Sequence, residues 1–270
     1  MNITSQYLGE VDILRTPSGL EPVVRQDFTD IESYSRFKFG DGEVGGRYGA
    51  TLGSLVLNEA VELLNAHEVH VTSSAFRVAP PASESLVGPF LASADAAARE
   101  EGAATTFSRF KIGKSRLATD NYAGMSFEER SQTLQSDLVL PSGLELEGQS
   151  VIILDDIRVT GLRQAALESL LEGAGVARAS FYYVLHVPDG KVYPQTEAII
   201  NARSVKTIDD ILELAIRPGF VPNVRLCKFI LSQTLNELER FCSSVPSDVR
   251  DVVLHYIEAD NLKEVVKAIP

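Results

Sequence analysis

The sequence predicts an α/β protein: a parallel β-sheet flanked by helices, with a helical C-terminal extension. Short apolar segments rich in β-branched residues, such as SVIILDD (150–156) and ARASFYYVLHV (177–187), alternate with amphipathic segments. Strands that alternate with helices form parallel sheets whose two faces are covered. Beyond residue 203 the pattern becomes mostly helical, which predicts the extension.

The first predicted helix covers residues 47–65, RYGATLGSLVLNEAVELLN. Its apolar side chains at Leu52, Val56, Leu63 and Leu64 form one helical stripe with acidic residues opposite. The preceding Gly-rich segment, GDGEVGGRYG, lacks the glycine spacing and the preceding strand of a dinucleotide-binding motif. We therefore expect it to be a flexible entry to the helix.

The later elements follow from the same two periodicities and from glycine stop signals. They are a strand at 68–75, a helix at 83–102, a strand at 104–112, a long polar loop at 113–149, a strand at 150–156, a helix at 162–175, a strand at 177–187, and helices at 228–244 and 247–258. From this order we predict three regions: an N-terminal arm or hood (1–35), an α/β core (36–202) and the helical extension (203–270).

The bulk composition favours a cytoplasmic protein. The chain has 270 residues and a formal net charge of -12, which argues against a nucleic-acid partner. It contains two cysteines, Cys227 and Cys242, as expected in a reducing compartment. The N-terminal residues do not resemble a signal peptide, and no apolar run approaches the roughly 20 residues that span a bilayer. We expect no membrane partner.

A local basic run interrupts this acidic background. The segment RFKIGKSR (109–116) carries Arg109, Lys111, Lys114 and Arg116 without an acid, so it is either an anion site or a solvated loop. Its Gly-Lys-Ser does not form a P-loop, because a P-loop needs glycine five residues earlier and that position is Ser108.

The segment VIILDDIRVTGLR (151–163) contains the strongest functional signal. A buried strand leads into Asp155 and Asp156, and a turn with Thr160 and Gly161 then opens a helix. The N–H groups at a helix N-terminus suit a phosphate, whereas two carboxylates suit hydroxyl donors or a divalent cation. A ribose 5-phosphate satisfies both halves. The alternative is that one aspartate caps the helix and the other is a solvated turn acid.

This segment resembles the motif that binds 5-phosphoribosyl 1-pyrophosphate (PRPP) in type I phosphoribosyltransferases. The resemblance implies that Asp155 and Asp156 hold the ribose and act in catalysis. It also implies that the 5-phosphate is bound by the loop of Ile157, Arg158, Val159, Thr160, Gly161, Leu162 and Arg163. Val159 stands where some purine enzymes of the family carry an aspartate base, so the resemblance does not identify an acceptor.

A second segment, AFRVAP (75–80), is similar to the pyrophosphate loop of orotate phosphoribosyltransferases, although Val78 replaces a glycine of that loop. In that family basic residues also follow the next strand, and a long loop closes over the site; residues 113–149 match this loop in position. The implied pyrophosphate ligands are Ser74, Ala75, Phe76, Arg77, Arg109 and Lys111. The alternative for Arg77 is an ordinary surface arginine beside a proline turn.

The resemblance implies transfer of a 5-phosphoribosyl group from PRPP to a small, nucleobase-like acceptor with release of pyrophosphate. It implies Mg²⁺ bound mainly through the oxygens of PRPP, and it allows a homodimer. Two alternatives stay open: a regulator that binds PRPP or a nucleotide without turnover, and the subgroup associated with tellurium-resistance operons. His186, at the end of the 177–187 strand, is either close to an acceptor base or a structural residue.

Overall fold

The computed structural model describes residues 1–17, 19–25, 29–59, 68–115, 136–188, 193 and 195–263. Its strands are β1 (Asn2–Thr16), β2 (Gly19–Val24), β3 (Glu68–Ser73), β4 (Thr106–Arg109), β5 (Gly113–Lys114), β6 (Leu138–Val139), β7 (Ser150–Arg158) and β8 (Arg178–His186). Its helices are α1 (Ile31–Lys38), α2 (Gly42–Glu59), α3 (Glu84–Glu100), α4 (Leu162–Gly173), α5 (Thr196–Asn201), α6 (Ile208–Ala215), α7 (Val224–Leu231), α8 (Leu235–Ser244) and α9 (Ser247–Ala259).

Six strands form the central sheet in the order β2-β1-β8-β7-β3-β4. All neighbouring strands are parallel except β2, which pairs antiparallel with β1 at one edge. β5 and β6 form a separate two-stranded ribbon. The predicted α/β class is therefore confirmed. In the described part of the chain, no helix has the length and apolar character needed to cross a membrane.

The two faces of the sheet bury different clusters, because successive side chains of a strand point to opposite faces. On one face Ile152 and Leu154 pack with α1, α2 and α3. On the other face Val151 and Ile153 pack with Leu167 and other side chains around α4. Both faces of β7 are thus covered by apolar side chains, which explains why its sequence is a continuous apolar run.

The C-terminal helices bury a third cluster, which includes Ile211, Leu226, Phe241 and Val253. Phe39 from the end of α1 also belongs to it, so this helical region packs directly on the core. The predicted single helix at 228–244 is two helices, because the Thr234 hydroxyl accepts the Glu237 N–H and starts α8. The predicted boundaries at 35/36 and 202/203 stay predictions.

The N-terminal strands β1 and β2 were not predicted. Most of the side chains of β1 are only partly buried or exposed, so the strand has no continuous apolar run to mark it. For the predicted helix stripe, Leu52 and Val56 are buried as expected. Leu63 and Leu64 lie outside the described residues, as does the segment 116–135 of the predicted lid.

The Gly-rich segment before residue 50 is helical and not a flexible entry, since α2 begins at Gly42. Its glycines let α2 approach α3 closely. A Cβ atom added to Gly49 would lie 2.4 Å from the Leu86 carbonyl oxygen, and one added to Gly53 would lie 2.5 Å from the Phe90 carbonyl oxygen. A side chain at either position would push two packed backbones apart.

This packing predicts opposite effects for two glycines of the same helix. Gly49→Ala should lower the free energy of unfolding by about 1–3 kcal/mol, because the added methyl overpacks the interface. Gly46→Ala meets no atom within 4 Å, so it should raise that free energy by up to about 1 kcal/mol through helix propensity. Urea denaturation measures both. Equal effects of the two substitutions would contradict the close-approach role.

Candidate functional site

Asp155 and Asp156 lie on β7, the strand at the centre of the parallel sheet, and each is only 3% exposed. β7 extends to Arg158, so both acids lie within the strand and not beyond its end. Backbone N–H groups orient the two carboxylates: Asp156 N donates to Asp155 Oδ1 at 2.9 Å, and Ile157 N donates to Asp156 Oδ1 at 2.7 Å. The alternative of one solvated turn acid is excluded by this burial.

Each buried acid has a cationic partner. Arg163 Nη1 donates to both carboxylate oxygens of Asp155, at 3.0 and 2.9 Å. Lys38, at the end of α1, forms a fully buried ion pair with Asp156. Lys38 Nζ also lies 3.1 Å from Glu197 Oε1 on α5. The like charges of the two aspartates are thus compensated from two different directions, which is the condition for burying them.

A chain of ion pairs continues from this site to the C-terminal helices. Glu197 accepts from Lys38 and from Arg225 Nη2 on α7, the latter at 3.3 Å. Lys38, followed by Arg163 and Arg225, holds the pKa of Glu197 well below its ordinary value despite partial burial. Glu197 therefore stays a carboxylate, and the chain links β7, α1, α5 and α7 into one charged network.

Burial acts differently on Asp155. Desolvation raises the pKa of Asp155 above its ordinary value, and Asp156 adds to this effect, while Arg163 opposes it. The ionised carboxylate is thus incompletely stabilised by the protein alone. Hydroxyl donors, or positive charge on a bound ligand, would supply the missing stabilisation.

The predicted phosphate loop forms a compact recess. The seven residues from Ile157 to Arg163 all line a cavity of about 80 Å³, together with Asp155 and Tyr183. Gly161 adopts the left-handed conformation with φ 79° and precedes the first turn of α4. The first N–H groups of a helix have no partner within it, so this recess offers donors to an anion.

Arg158 adds a cation to the same recess. Its Nε–H is buried and has no hydrogen-bond partner among the described residues. Its Nη1 lies 3.1 Å from Nε2 of His186, and burial followed by the Arg158 charge lowers the pKa of that histidine. His186 lies behind the loop, where it contacts Arg158, Glu10 and Tyr7. This position supports the structural role among the two that the sequence left open.

A larger cleft of about 470 Å³ opens beside the acids. The predicted pyrophosphate residues Ser74, Ala75, Phe76 and Arg77 line it together with Asp156 and Arg163. Arg109 and Lys111 do not line it. Arg109 forms an ion pair with Glu84, while Lys111 donates to the Arg77 carbonyl oxygen and lies 4.1 Å from the centre of the Phe76 ring. Lys111 thus lies beside the pyrophosphate turn, whereas Arg109 pairs with Glu84 outside the cleft.

The C-terminal segment holds the turn at 74–79. Arg77 Nη1 donates to the Ala259 carbonyl oxygen at 2.9 Å and lies 3.9 Å from Asp260 Oδ1. The other carboxylate oxygen of Asp260 accepts the Ala79 N–H at 2.8 Å. Arg77 is thus held by the C-terminal segment and is not a free surface arginine. The Asp260 carboxylate already accepts one backbone N–H of the turn, that of Ala79.

Sequence reasoning missed several residues of this site: Lys38, Glu197, Arg225, Lys228 and Asp260. None lies in a motif, and the partners Lys38 and Asp156 are 118 residues apart along the chain. A lysine at the end of a short helix gives no sign of such a contact. Only the chain fold, which places the end of α1 at the carboxyl edge of the sheet, brings them together.

A comparison with known protein families identifies the class of this protein. Residues 24–263 match the model of a family described as PRTase ComF-like, where PRTase stands for phosphoribosyltransferase. The match covers most of the chain, and the chain belongs to this family. It is therefore a phosphoribosyltransferase by family. A search of curated proteins finds no match.

The solved structures that resemble this chain are distant. One is a hypoxanthine-guanine phosphoribosyltransferase from Bacillus anthracis, with 13% identity and a TM-score of 0.35 over 55% of this chain and 70% of that one. Another is a hypoxanthine phosphoribosyltransferase from Staphylococcus aureus, with 16% identity and a TM-score of 0.38 over 55% of this chain and 66% of that one.

The buried pair predicts a specific stability cost. Lys38→Met leaves the carboxylate of Asp156 buried without its main partner, so the free energy of unfolding should fall by about 3 kcal/mol or more. Arg203→Met breaks the exposed pair with Glu32 and should have a much smaller effect.

The double variant Lys38→Met/Asp156→Leu should recover most of the loss, because it replaces both charges with apolar groups. Urea denaturation of the four proteins gives the comparison. A Lys38→Met effect no larger than that of Arg203→Met would contradict the buried pair.

Proposed function

We propose that the protein transfers a 5-phosphoribosyl group from PRPP to a small acceptor with release of pyrophosphate. The observation that carries the proposal is the adjacency of two buried carboxylates on β7 to the recess lined by residues 157–163, where the N-terminus of α4 offers backbone N–H donors. A sugar diol fits the first half and a phosphate fits the second. The family membership supports the same ligand class.

The carboxylates have room for the sugar hydroxyls. A carboxylate offers about four acceptor positions, and the contacts of Asp155 with Arg163 and with the Asp156 N–H use only part of them. Asp155 and Asp156 would accept the ribose hydroxyls while keeping their cations. In the predicted roles, Ile157 through Arg163 bind the 5-phosphate, and Ser74 through Arg77 with Lys111 bind the pyrophosphate.

The reaction moves charge in a direction that these residues favour. The bond between the ribose C1 and the pyrophosphate oxygen breaks, and its electron pair leaves with pyrophosphate. The acceptor atom forms the new bond to C1 and releases its proton. Positive charge on the ribose ring is favoured by Asp155 and Asp156, and negative charge on the leaving group is favoured by Arg77.

Mg²⁺ belongs to this proposal through PRPP. Carboxylate and phosphate oxygens are the ligands that Mg²⁺ prefers. Because Asp155 and Asp156 already contact Arg163 and Lys38, they fit a cation held mainly by PRPP oxygens and assisted by these acids. When bound, Mg²⁺ would neutralise part of the pyrophosphate charge.

Finer assignments remain predictions. They are a nucleobase-like acceptor, a cytoplasmic location, a homodimer and the tellurium-resistance-operon subgroup. Of these four assignments, only the acceptor is addressed by the geometry of the described residues.

The ribose assignment predicts that replacing the two aspartates weakens binding of the sugar part of PRPP much more than binding of its pyrophosphate part. In Asp155→Asn/Asp156→Asn, charge-assisted hydrogen bonds worth about 1.5–3 kcal/mol each are weakened, so affinity for PRPP and for ribose 5-phosphate should fall at least tenfold. Pyrophosphate, whose proposed ligands are the turn at 74–77 and Lys111, should lose much less affinity. Calorimetry with all three ligands and Mg²⁺ measures this.

Asp209→Asn, on the exposed face of α6, is the control and should change none of the three affinities. If the double variant is unfolded by circular dichroism, Asp155→Asn alone keeps the test available, because its partner Arg163 is half exposed. Unchanged ribose 5-phosphate affinity in a folded variant would refute the assignment. PRPP binding without pyrophosphate release, across a panel of acceptors, would indicate a regulator.

A further inference from the structure

The 470 Å³ cleft is cationic although the chain as a whole is acidic. Among the described residues that line it, six side chains are cationic and three are acidic. The cationic residues are Lys38, Arg77, Lys114, Arg163, Arg225 and Lys228, and the acidic ones are Asp156, Glu197 and Asp260. A net positive cleft in a chain of net charge -12 indicates an anionic ligand.

Helix α7 contributes two of these cations, Arg225 and Lys228. They are three residues apart, so they lie on the same face of the helix. Hydrogen bonds fix this helix at the cleft: Val224 N donates to the Pro80 carbonyl oxygen at 2.8 Å, and Asn223 Nδ2 donates to the Lys38 carbonyl oxygen at 3.2 Å. The face is therefore placed by the same backbone that carries Lys38 and the 74–79 turn.

Of the two cations on α7, Lys228 is the one without an ion-pair partner among the described residues. Arg225 shares Glu197 with Lys38, but Lys228 makes no ion pair or side-chain hydrogen bond within the described part of the chain. Lys228 is partly buried, and burial, with Arg225 and Lys114 adding to it, lowers the pKa of its ammonium group. Asp260 opposes this shift but forms no ion pair with Lys228, so the anion of a ligand would stabilise the desolvated charge further.

The anions of PRPP have other proposed ligands. The 5-phosphate recess is lined by the loop at 157–163, and Lys228 is not among its residues. The pyrophosphate turn contributes Arg77, and Lys111 lies beside it. The wall around α7 is apolar instead, with Pro81, Ala82, Val224 and Leu262. Apolar surface beside a free cation suits a flat ring that carries an acidic substituent.

We propose that the face of α7 in this cleft is the acceptor subsite, and that the acceptor is a planar ring compound with a carboxylate, which Lys228 binds with help from Arg225. This inference rests on the proposed function and adds to it a class of acceptor. A carboxylate suits the pair because Lys228 supplies a point charge, and Arg225, held by Glu197, supplies a second donor.

Two nucleotides that differ by one carboxylate test the proposal. Orotidine 5′-monophosphate and uridine 5′-monophosphate carry the same ribose phosphate, but only the former has a carboxylate on its ring. Calorimetry on the wild-type protein should show at least about tenfold tighter binding of orotidine 5′-monophosphate, as expected for a charge-assisted contact. In Lys228→Met this preference should fall to about twofold or less.

Lys228→Met keeps the apolar stem of the side chain and removes a partly buried charge, so the variant is expected to fold. Lys206→Met, at an exposed lysine of the same helical region, is the matched control and should retain the preference. Binding of ribose 5-phosphate, uridine 5′-monophosphate and pyrophosphate should be unchanged in both variants.

Three results would overturn the proposal: no preference for the carboxylated nucleotide in the wild type, loss of pyrophosphate affinity in Lys228→Met as large as the loss for orotidine 5′-monophosphate, or binding of ribose 5-phosphate but of neither nucleotide. The second would make Lys228 a pyrophosphate ligand. Failure of the wild type to bind ribose 5-phosphate would refute the proposed function itself, and the acceptor subsite with it.

Discussion

The buried ion pairs around Asp155 and Asp156 are the constraint on which the site depends. Two adjacent carboxylates at the centre of a covered sheet would be strongly unfavourable without compensation. Lys38 reaches Asp156 from α1, and Arg163 reaches Asp155 from the start of α4. Both ion pairs therefore depend on how α1 and the turn into α4 are placed against β7.

The same network links the C-terminal helices to the core. Glu197 joins Lys38 to Arg225, and so links α7 to the edge of the sheet where we propose that ribose binds. Asp260, after α9, accepts the Ala79 N–H and lies near Arg77. The helical region thus meets both the proposed sugar site and the proposed pyrophosphate turn. We interpret it as one wall of the proposed site, and the family match also includes it up to residue 263.

Parts of the fold were readable from sequence because local patterns encode them. The apolar run before Asp155 marks a strand covered on both faces, and the Thr-Gly pair marks the turn into a helix. Two further signals were available but unused. Thr234 and Glu237 form a capping box that divides the predicted helix at 228–244, and Gly45, Gly49 and Gly53 recur every four residues, as at a close helix contact.

The partners of the acids could not be read in the same way. Lys38 and Glu197 are separated from β7 by long stretches of chain, and ion pairs between such residues depend on tertiary structure alone. The edge strand β1 was missed for a related reason, since a partly exposed strand carries no continuous apolar run. Local sequence therefore predicted a class of ligand from one strand and its turn. The other residues around the proposed site could be identified only from the tertiary structure.

A crystal structure of the complex with ribose 5-phosphate tests the central claim most directly. The account predicts the phosphate in the recess formed by residues 157–163, and the ring hydroxyls within hydrogen-bond distance of Asp155 and Asp156. The ion pairs to Arg163 and Lys38 should persist, because each carboxylate has acceptor positions to spare. A phosphate bound instead against α7, with no sugar oxygen near either aspartate, would contradict the account.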